Sequence, residues 1–520
     1  MSDSSDSSLR ERGAKSSFDV DGNYTLRNRL GLLLGPAGFA IVVLLPTPTG
    51  LSSAGQVVAA TGIWMAVWWV SEAVPIPATA LLPLVVFPVS GATEAQAAAT
   101  PYANRLIFLF LGGFLVAVAI ERWGLHRRIA LRTILLVGTA PRRVIGGFML
   151  ATAVLSMWIS NTATALMMTP IGLAVVGQTA ALIDRHEVDV DVEDGSFRFG
   201  TTLMLAIAYA ASIGGVATLI GSPPNIIFAG YVSEVYGQEI TFSQWMRYGL
   251  PLSAVGLVIA WVYLTRIVLG SSVLQIPADD DVIETRLEAL GPMSAGEKRV
   301  LAVFAVVATA WMTRGVLIEP VLPMVDDAAI AIFGALLLFV VPARDDNGEF
   351  TFLLDWTTAV SIPWGIILLF GGGLSLASGV EATGLGEWFG SLLFGLDGVN
   401  IVVILLALGL LSVFLTEVTS NTALTAMVIP VLAALAVSFA VHPYLLMVVA
   451  TTVASFAFML PVATPPNAVV FGSGYITAPQ MARTGFALNL VGVVLAVFFV
   501  LFWLPIAWGV DLGTVPPWVG

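Results

Sequence analysis

The chain has no cysteine among its 520 residues. Disulfides and thiolate metal sites are therefore excluded. Charge is scarce. Asp, Glu, Lys and Arg make up 11% of the residues, against about 25% in an ordinary soluble domain. Lysine is nearly missing, with two copies beside twenty arginines. The three histidines, His126, His186 and His442, are scattered, which suits loop or interfacial positions rather than a metal centre. No P-loop occurs, so pumping by ATP hydrolysis would need a separate subunit. Residues 1–29 read as a disordered cytoplasmic tail, Ser/Asp-rich and charged to about residue 26, with no cleavable signal peptide.

What remains is apolar: 58% of the residues are hydrophobic. Runs of helix-spanning length recur from end to end and are too long for barrel strands, so the sequence predicts an all-α polytopic membrane protein. The net charge is −12. Acidic residues gather between Asp184 and Asp194 and between Asp279 and Glu288, which reads either as solvated loops or as the surface of a halophile.

We read eleven crossings, near 30–46, 56–74, 76–91, 105–121, 199–234, 249–269, 298–316, 324–342, 363–380, 444–475 and 484–506. Two further apolar stretches, 143–183 and 401–440, read as re-entrant hairpins. With the N-terminus in the cytoplasm, 19 of the 22 Lys/Arg fall inside, and only Arg105, Arg247 and Arg314 fall outside. That is the positive-inside pattern, and it puts the C-terminus on the outer face.

The chain carries an internal duplication. Ser160-Asn161-Thr162 recurs as Ser420-Asn421-Thr422, 260 residues later. At the same offset Gly112-Gly113 matches Gly372-Gly373, Glu121 matches Glu381, Gly124-Leu125 matches Gly384-Leu385, Met167 matches Met427 and Pro170 matches Pro430. The arm after Glu121 carries Arg127, Arg128, Arg132, Arg142 and Arg143, while its counterpart, Leu385 to Val399, has no basic residue. Equivalent segments then lie on opposite faces, as in an inverted-topology repeat, with both amphipathic arms along the interface. The organisation expected is scaffold helices over 30–104, repeat 1 over 105–270, a cytoplasmic linker over 271–297, and repeat 2 over 298–520.

Each repeat holds a second interruption, Gly221-Ser222-Pro223-Pro224-Asn225 and Ala463-Thr464-Pro465-Pro466-Asn467. Paired prolines break a helix. An unwound stretch at membrane depth is tolerated where it lines a cavity or is buried in protein. Its carbonyls can hold a cation, while half-helix N-termini favour anions. Ser and Thr hydroxyls and the Asn amide suit either an alkali cation or a carboxylate. No Lys or Arg lies near either tip, so an anionic substrate calls for co-bound cations. Glu417, three residues before Ser420, is either a proton or cation site or a residue paired within the scaffold; repeat 1 has Met157 there. Glu72, at the end of the second span, reads as structural or interfacial. Gly112-Gly113 and Gly371 to Gly373 read as close helix approaches rather than phosphate loops. No nucleophile–base pair appears at membrane depth, which argues against an intramembrane enzyme. Nothing points to nucleic acid.

These motifs resemble the divalent anion:sodium symporter family, the sodium-dependent dicarboxylate, citrate and sulfate carriers. The resemblance runs from about residue 30 to 510. It rests on Trp68 to Pro75, on Ile362-Pro363-Trp364-Gly365 running into Phe370-Gly371-Gly372-Gly373, on both Ser-Asn-Thr tips and on both Pro-Pro-Asn breaks. It implies a homodimeric elevator-type transporter, with no cofactor and with sodium as the co-transported ion. It assigns a first sodium site to Ser156, Ser160, Asn161 and Gly221, and a second to Thr416, Thr419, Asn421 and Ala463, several acting through backbone carbonyls. It gives the substrate carboxylates to Ser160, Asn161, Thr162, Ser420, Asn421 and Thr422, with Ser222 and Pro465 lining the site. Two intact tripeptides fit C4-dicarboxylates such as succinate, malate or fumarate. Citrate, sulfate and sodium-independent exchange are the alternatives on the same scaffold.

Overall fold

The computed structural model describes residues 25–138, 140–185, 196–270, 281–345, 348–392 and 400–519. Nearly all of it is helix. Among the described residues, nine helical stretches are long and apolar enough to cross a membrane, and shorter apolar helices join them.

The first helix, α1 (Leu26–Leu44), begins earlier than expected. Thr25 caps it, and the Asn28 side chain accepts from the Thr25 amide at 3.0 Å. This reciprocal box starts the helix inside the stretch assigned to the tail. The rest of that tail lies outside the described residues. α2 (Ser53–Ser71) packs along α1 and ends at Glu72, whose φ of 51° closes the helix. Glu72 pairs with Arg27 at 3.1 Å, a structural role. The crossing expected near 76–91 is two pieces, α3 (Ile76–Thr79) and α4 (Leu82–Ser90). A short α5 (Ala95–Ala99) leads to α6 (Arg105–Arg122).

Repeat 1 continues with α7 (Leu125–Val137), α8 (Pro141–Ser156), α9 (Asn161–Arg185), α10 (Arg198–Gly215), α11 (Pro223–Tyr236) and α12 (Phe242–Tyr263). α8 and α9 form a helical hairpin with its tip at 157–160, and Asn161–Ile183 within α9 is among the stretches long and apolar enough to cross a membrane. The predicted break falls between α10 and α11, where Pro223 and Pro224 open the second half-helix. Proline suits a first turn because those N–H groups lack intrahelical acceptors anyway. The linker contains a helix, α13 (Asp281–Ala289), and its residues 271–280 lie outside the described set. α14 (Ala295–Thr313) and α15 (Asp327–Val340) follow.

One element departs from the all-helical expectation. β1 (Pro342–Arg344) and β2 (Phe350–Phe352) pair antiparallel, Ala343 opposite Thr351. Gly348 at φ 80° donates to Asp345 O and makes the turn possible. Three-residue strands are too short to show an alternation that sequence reading could detect.

Repeat 2 then runs through α16 (Trp356–Ala359), α17 (Trp364–Ala382), α18 (Leu385–Leu392), α19 (Ile401–Thr416), α20 (Asn421–Ser438), α21 (Tyr444–Ala454), α22 (Pro465–Phe471), α23 (Ala478–Phe498) and α24 (Leu504–Trp508). α19 and α20 form the second hairpin, and the second break separates α21 from α22. The glycine pairs act as read. A Cβ on Gly112 would lie 2.6 Å from the Ala331 backbone, and one on Gly372 would lie 2.1 Å from Ala80 O.

The repeats pack crosswise. Helices α9 and α10 of repeat 1 lie against α22 of repeat 2, while α20 and α21 lie against α11. Buried hydrogen bonds lock this exchange. Tyr209 OH donates to Phe458 O at 3.0 Å, and Tyr248 OH bonds Thr452 Oγ1 at 3.0 Å. Each hairpin is thereby seated beside the other repeat's broken helix.

Candidate functional site: two oxygen-rich half-sites

In repeat 1, α8 delivers Ser156 fully buried at its last residue. Ser156 Oγ lies 2.7 Å from Ala211 O and 2.5 Å from Asn161 Oδ1. A hydroxyl carries one proton but also accepts, so Ser156 can donate to Ala211 O while accepting from the Asn161 amide. The Asn161 amide has two orientations. Turned one way, Nδ2 donates to Ser156 Oγ at 2.5 Å, Ala211 O at 3.1 Å and Gly221 O at 3.2 Å. Turned the other way, Oδ1 stands among those same three oxygens. That crowding of oxygens is repulsive, so the hydrogen bonding favours the first orientation. Ser156, Asn161 and Gly221, three of the four residues assigned to the first sodium site, therefore meet at one point, and Ala211 O joins them. The fourth, Ser160, accepts from Ala163 N at 3.2 Å and caps the start of α9.

Repeat 2 repeats the pattern. Thr416 Oγ1, fully buried, lies 2.6 Å from Asn421 Oδ1 and 3.1 Å from Ala454 O. Thr419 donates its hydroxyl hydrogen to Leu415 O at 2.8 Å, which leaves oxygen lone pairs and the backbone to serve a ligand. Ala463 is buried in the connector that precedes α22. Ser420 caps α20.

The expected substrate residues divide into two groups. Ser160, Asn161 and Thr162 sit at the start of α9, half-buried. Ser420, Asn421 and Thr422 sit at the start of α20, the first two half-buried and Thr422 buried. These are the positive ends of two helices, suited to carboxylates. Ser222 instead turns its buried hydroxyl to Ser455 Oγ of repeat 2, at 2.9 Å. Pro465 is exposed at the start of α22. No Lys or Arg occupies 156–170, 211–230, 412–430 or 452–470. Charge balance at this site thus calls for a cation wherever a dianion binds.

Glu417 resolves toward pairing. It is 3% exposed and accepts from Met459 N and Leu460 N, each at 2.9 Å, and from Asn489 Nδ2 at 2.6 Å. Its partner residue Asn489 carries no sequence signal, being one polar residue in an apolar helix. Thr218 was equally silent. Its hydroxyl donates to Met157 O at 2.5 Å and accepts from Gly221 N at 3.1 Å. The two described histidines are buried and hydrogen-bonded: His126 Nδ1 to Ile120 O at 3.1 Å, and His442 Nδ1 to Tyr444 N at 3.2 Å. His126 lies in helix α7, and His442 lies in the loop between α20 and α21. His186 lies outside the described residues.

The sequence profile of the sodium:sulfate symporter transmembrane region matches residues 27–509. The chain belongs to the sodium:sulfate symporter family. Members of this symporter family with curated names are close. The sodium-dependent dicarboxylate transporter SdcS of Staphylococcus saprophyticus is 44% identical over 492 residues, covering 94% of each chain. SdcS of Staphylococcus aureus strain RF122 is 42% identical over 490 residues, covering 94% of this chain and 93% of that one. Two solved structures share the fold of this symporter. The Alcanivorax borkumensis YdaH transporter superposes with a TM-score of 0.56 at 12% identity, over 93% of this chain and 97% of that one. Neisseria gonorrhoeae MtrF gives 0.51 at 11% identity, over 95% and 97%. The chain is a multi-pass membrane transporter and not an enzyme.

Proposed function

We propose that this protein is a secondary active symporter that moves C4-dicarboxylates, such as succinate, malate or fumarate, together with sodium across the cytoplasmic membrane. One observation carries the reading. Each half-site gathers a buried hydroxyl, an asparagine amide and a backbone carbonyl at one point, beside a helix N-terminus that lacks any basic side chain. Such a site holds neither cation nor dianion comfortably without the other. The names of the curated relatives point the same way.

In this reading Ser156, Ser160, Asn161 and Gly221 bind one sodium, and Thr416, Thr419, Asn421 and Ala463 bind the second. The tripeptides hold the two carboxylates, with Ser222 and Pro465 at the margin. Residues 30–104 and the two leading helices of 298–520 form a scaffold in each subunit of a homodimer. The hairpins and broken helices move against it as an elevator, with inverted repeats, the N-terminus inside and the C-terminus outside. The charge count of the sequence supports that orientation. The chemistry is binding and alternating access, with no bond made or broken.

Radiolabelled uptake into proteoliposomes tests this. Succinate uptake should rise with an inward sodium gradient and exceed citrate and sulfate uptake. Asn161→Ala and Asn421→Ala should each abolish it while leaving a folded, cooperatively melting protein. Full transport by both variants would reject the site. A preference for sulfate or citrate would reassign the substrate. Uptake indifferent to sodium would favour an exchanger.

A further inference from the structure

The asparagines of the two Pro-Pro-Asn breaks make the same bonds in both repeats, and no binding role uses them. Asn225 is the third residue of α11 and fully buried. Its Nδ2 reaches back across the break to Thr218 O at 2.7 Å, Gly215 O at 3.1 Å and Val216 O at 3.4 Å. Asn467 is the third residue of α22, also fully buried. Its Nδ2 reaches Leu460 O at 3.0 Å and Ala457 O at 3.1 Å. Both share acceptors seven and ten residues upstream, and Asn225 adds Val216, nine upstream. These carbonyls lie where the helix is interrupted, and the carboxamide supplies donors to them. Asn225 Oδ1 and Asn467 Oδ1 accept no bond among the described residues. An unmet buried acceptor is a cost, tolerated here where the donor half of the amide is what the fold uses.

We propose that Asn225 and Asn467 are positioning residues for the two cation sites, each stapling its half-helices together so that the connector's carbonyls face the ion. This rests on the sodium-coupled reading. The link to the ion is shortest in repeat 1. A Cβ on Gly221 would lie 2.5 Å from Gly215 O, the Asn225 acceptor, and 3.0 Å from Ser156 O. A Cβ on Gly215 would lie 2.5 Å from Asn161 Oδ1 and 2.8 Å from Gly221 O. The staple therefore ends inside the oxygen cluster of Ser156, Asn161 and Gly221. Its other acceptor, Thr218, is the residue whose hydroxyl ties Gly221 to the Met157 tip. Cutting the staple releases both anchors of the cage at once.

Asn225→Leu and Asn467→Leu keep the branched shape and remove the donor. Each should raise the sodium concentration for half-maximal uptake at least about tenfold, while the succinate KM at saturating sodium stays within about twofold. Combined with Ser156→Ala, Asn225→Leu should be non-additive in sodium half-saturation. Combined with Thr416→Ala in the other half-site, it should be additive. A residue that only supports folding lowers the amount of folded carrier and leaves sodium half-saturation where it was. That result, or additivity with Ser156→Ala, overturns the proposal. If the leucine variants do not fold, Asn225→Ser and Asn467→Ser replace them, since a serine hydroxyl cannot span the break. They are read by the sodium dependence of melting of the purified protein, without transport. An unchanged sodium titration again overturns the proposal. If wild-type uptake ignores sodium, the functional reading fails first. The melting titration then judges the staple alone, and a wild type that also melts independently of sodium removes both.

Discussion

Asn489 Nδ2 donates to Glu417 Oε1 at 2.6 Å, and this bond closes a clasp between the second hairpin tip and the second break. Met459 N and Leu460 N donate to the same carboxylate, and Phe458 N donates to Asn489 Oδ1 at 3.1 Å. The amides of this irregular backbone segment are satisfied by two buried side chains, Glu417 and Asn489. Repeat 1 reverses the polarity: there Thr218 of the break donates to the Met157 carbonyl of the tip. Removing Glu417 should therefore expose the clasp. Glu417→Ala leaves two buried amides and a carboxamide without an acceptor, which should cost roughly 3 kcal/mol or more. Glu417→Gln keeps one acceptor oxygen and should cost less. Melting of the detergent-solubilised variants, followed by tryptophan fluorescence, ranks them. Equal melting of wild type and Glu417→Ala would remove the clasp.

Arg314 is the next buried charge on which the fold depends. Its side chain is 7% exposed, beside Asp327 at 4%. Nη1 donates to Glu239 Oε1 at 2.6 Å and lies 3.5 Å from Asp327 Oδ1, while Nε donates to Val325 O at 3.0 Å. Asp327 in turn holds Phe242 N at 2.7 Å. Arg314→Met strands the buried aspartate, and breaking such a pair costs about 3–5 kcal/mol. Adding Asp327→Asn removes the stranded charge and should recover part of the loss. A thermal melt of the single and double variants checks both signs.

His126 predicts a pH dependence. It lies on α7, outside the crossings. Burial lowers its pKa to about 4; the bond to Ile120 O opposes that, and the Arg127 charge adds to it. The unfolded chain protonates near pH 6.5. Between about 6.5 and 4, the unfolded state thus binds a proton that the folded state refuses, so stability falls as pH falls. The slope is at most about 1.4 kcal/mol per pH unit for this one group. His126→Gln should lose less stability than wild type between pH 7 and pH 5. Parallel losses in the two proteins would show that other groups carry the acid sensitivity.

Much of this architecture was legible because the duplication is local and repeated. The 260-residue offset located both tips, and the proline pairs located both breaks. Two copies of one short pattern support each other where a single copy would pass for a helix cap. The silent parts are non-local. Nothing in the sequence tells that α9 packs on α22 while α20 packs on α11, or that Asn489 reaches Glu417 across 72 residues. Thr218 and Asn489 are ordinary polar residues until their partners are known. The early start of α1 was hidden because Thr25 and Asn28 cap a helix within a stretch whose composition reads as disorder. Asn225 and Asn467 stood inside the recognised motif, yet their donor role depends on carbonyls that only the unwound geometry exposes.

Gly221 and Ala463 occupy matching places in the two breaks but differ by a methyl group. The difference sets a last prediction. At Gly221 a Cβ would meet Gly215 O at 2.5 Å, with Gly215 Cα and Ser156 O at 3.0 Å. All three are backbone atoms that cannot rotate away. In repeat 2 the residue matching Gly215 is Ala457, and the connector already houses the methyl of Ala463. The first cage is therefore the tighter of the two. Gly221→Ala should force its oxygens apart, and overpacking strain of roughly 1–3 kcal/mol corresponds to about a fivefold to 150-fold loss in sodium affinity. Ala463→Gly removes a methyl from the roomier cage and should change sodium half-saturation by less than about threefold. Sodium titrations of succinate uptake by the two variants measure the contrast. Equal effects would mean that the two half-sites are interchangeable and that the glycine is there for backbone freedom alone. Its absence from the positive-φ residues argues against that freedom being needed.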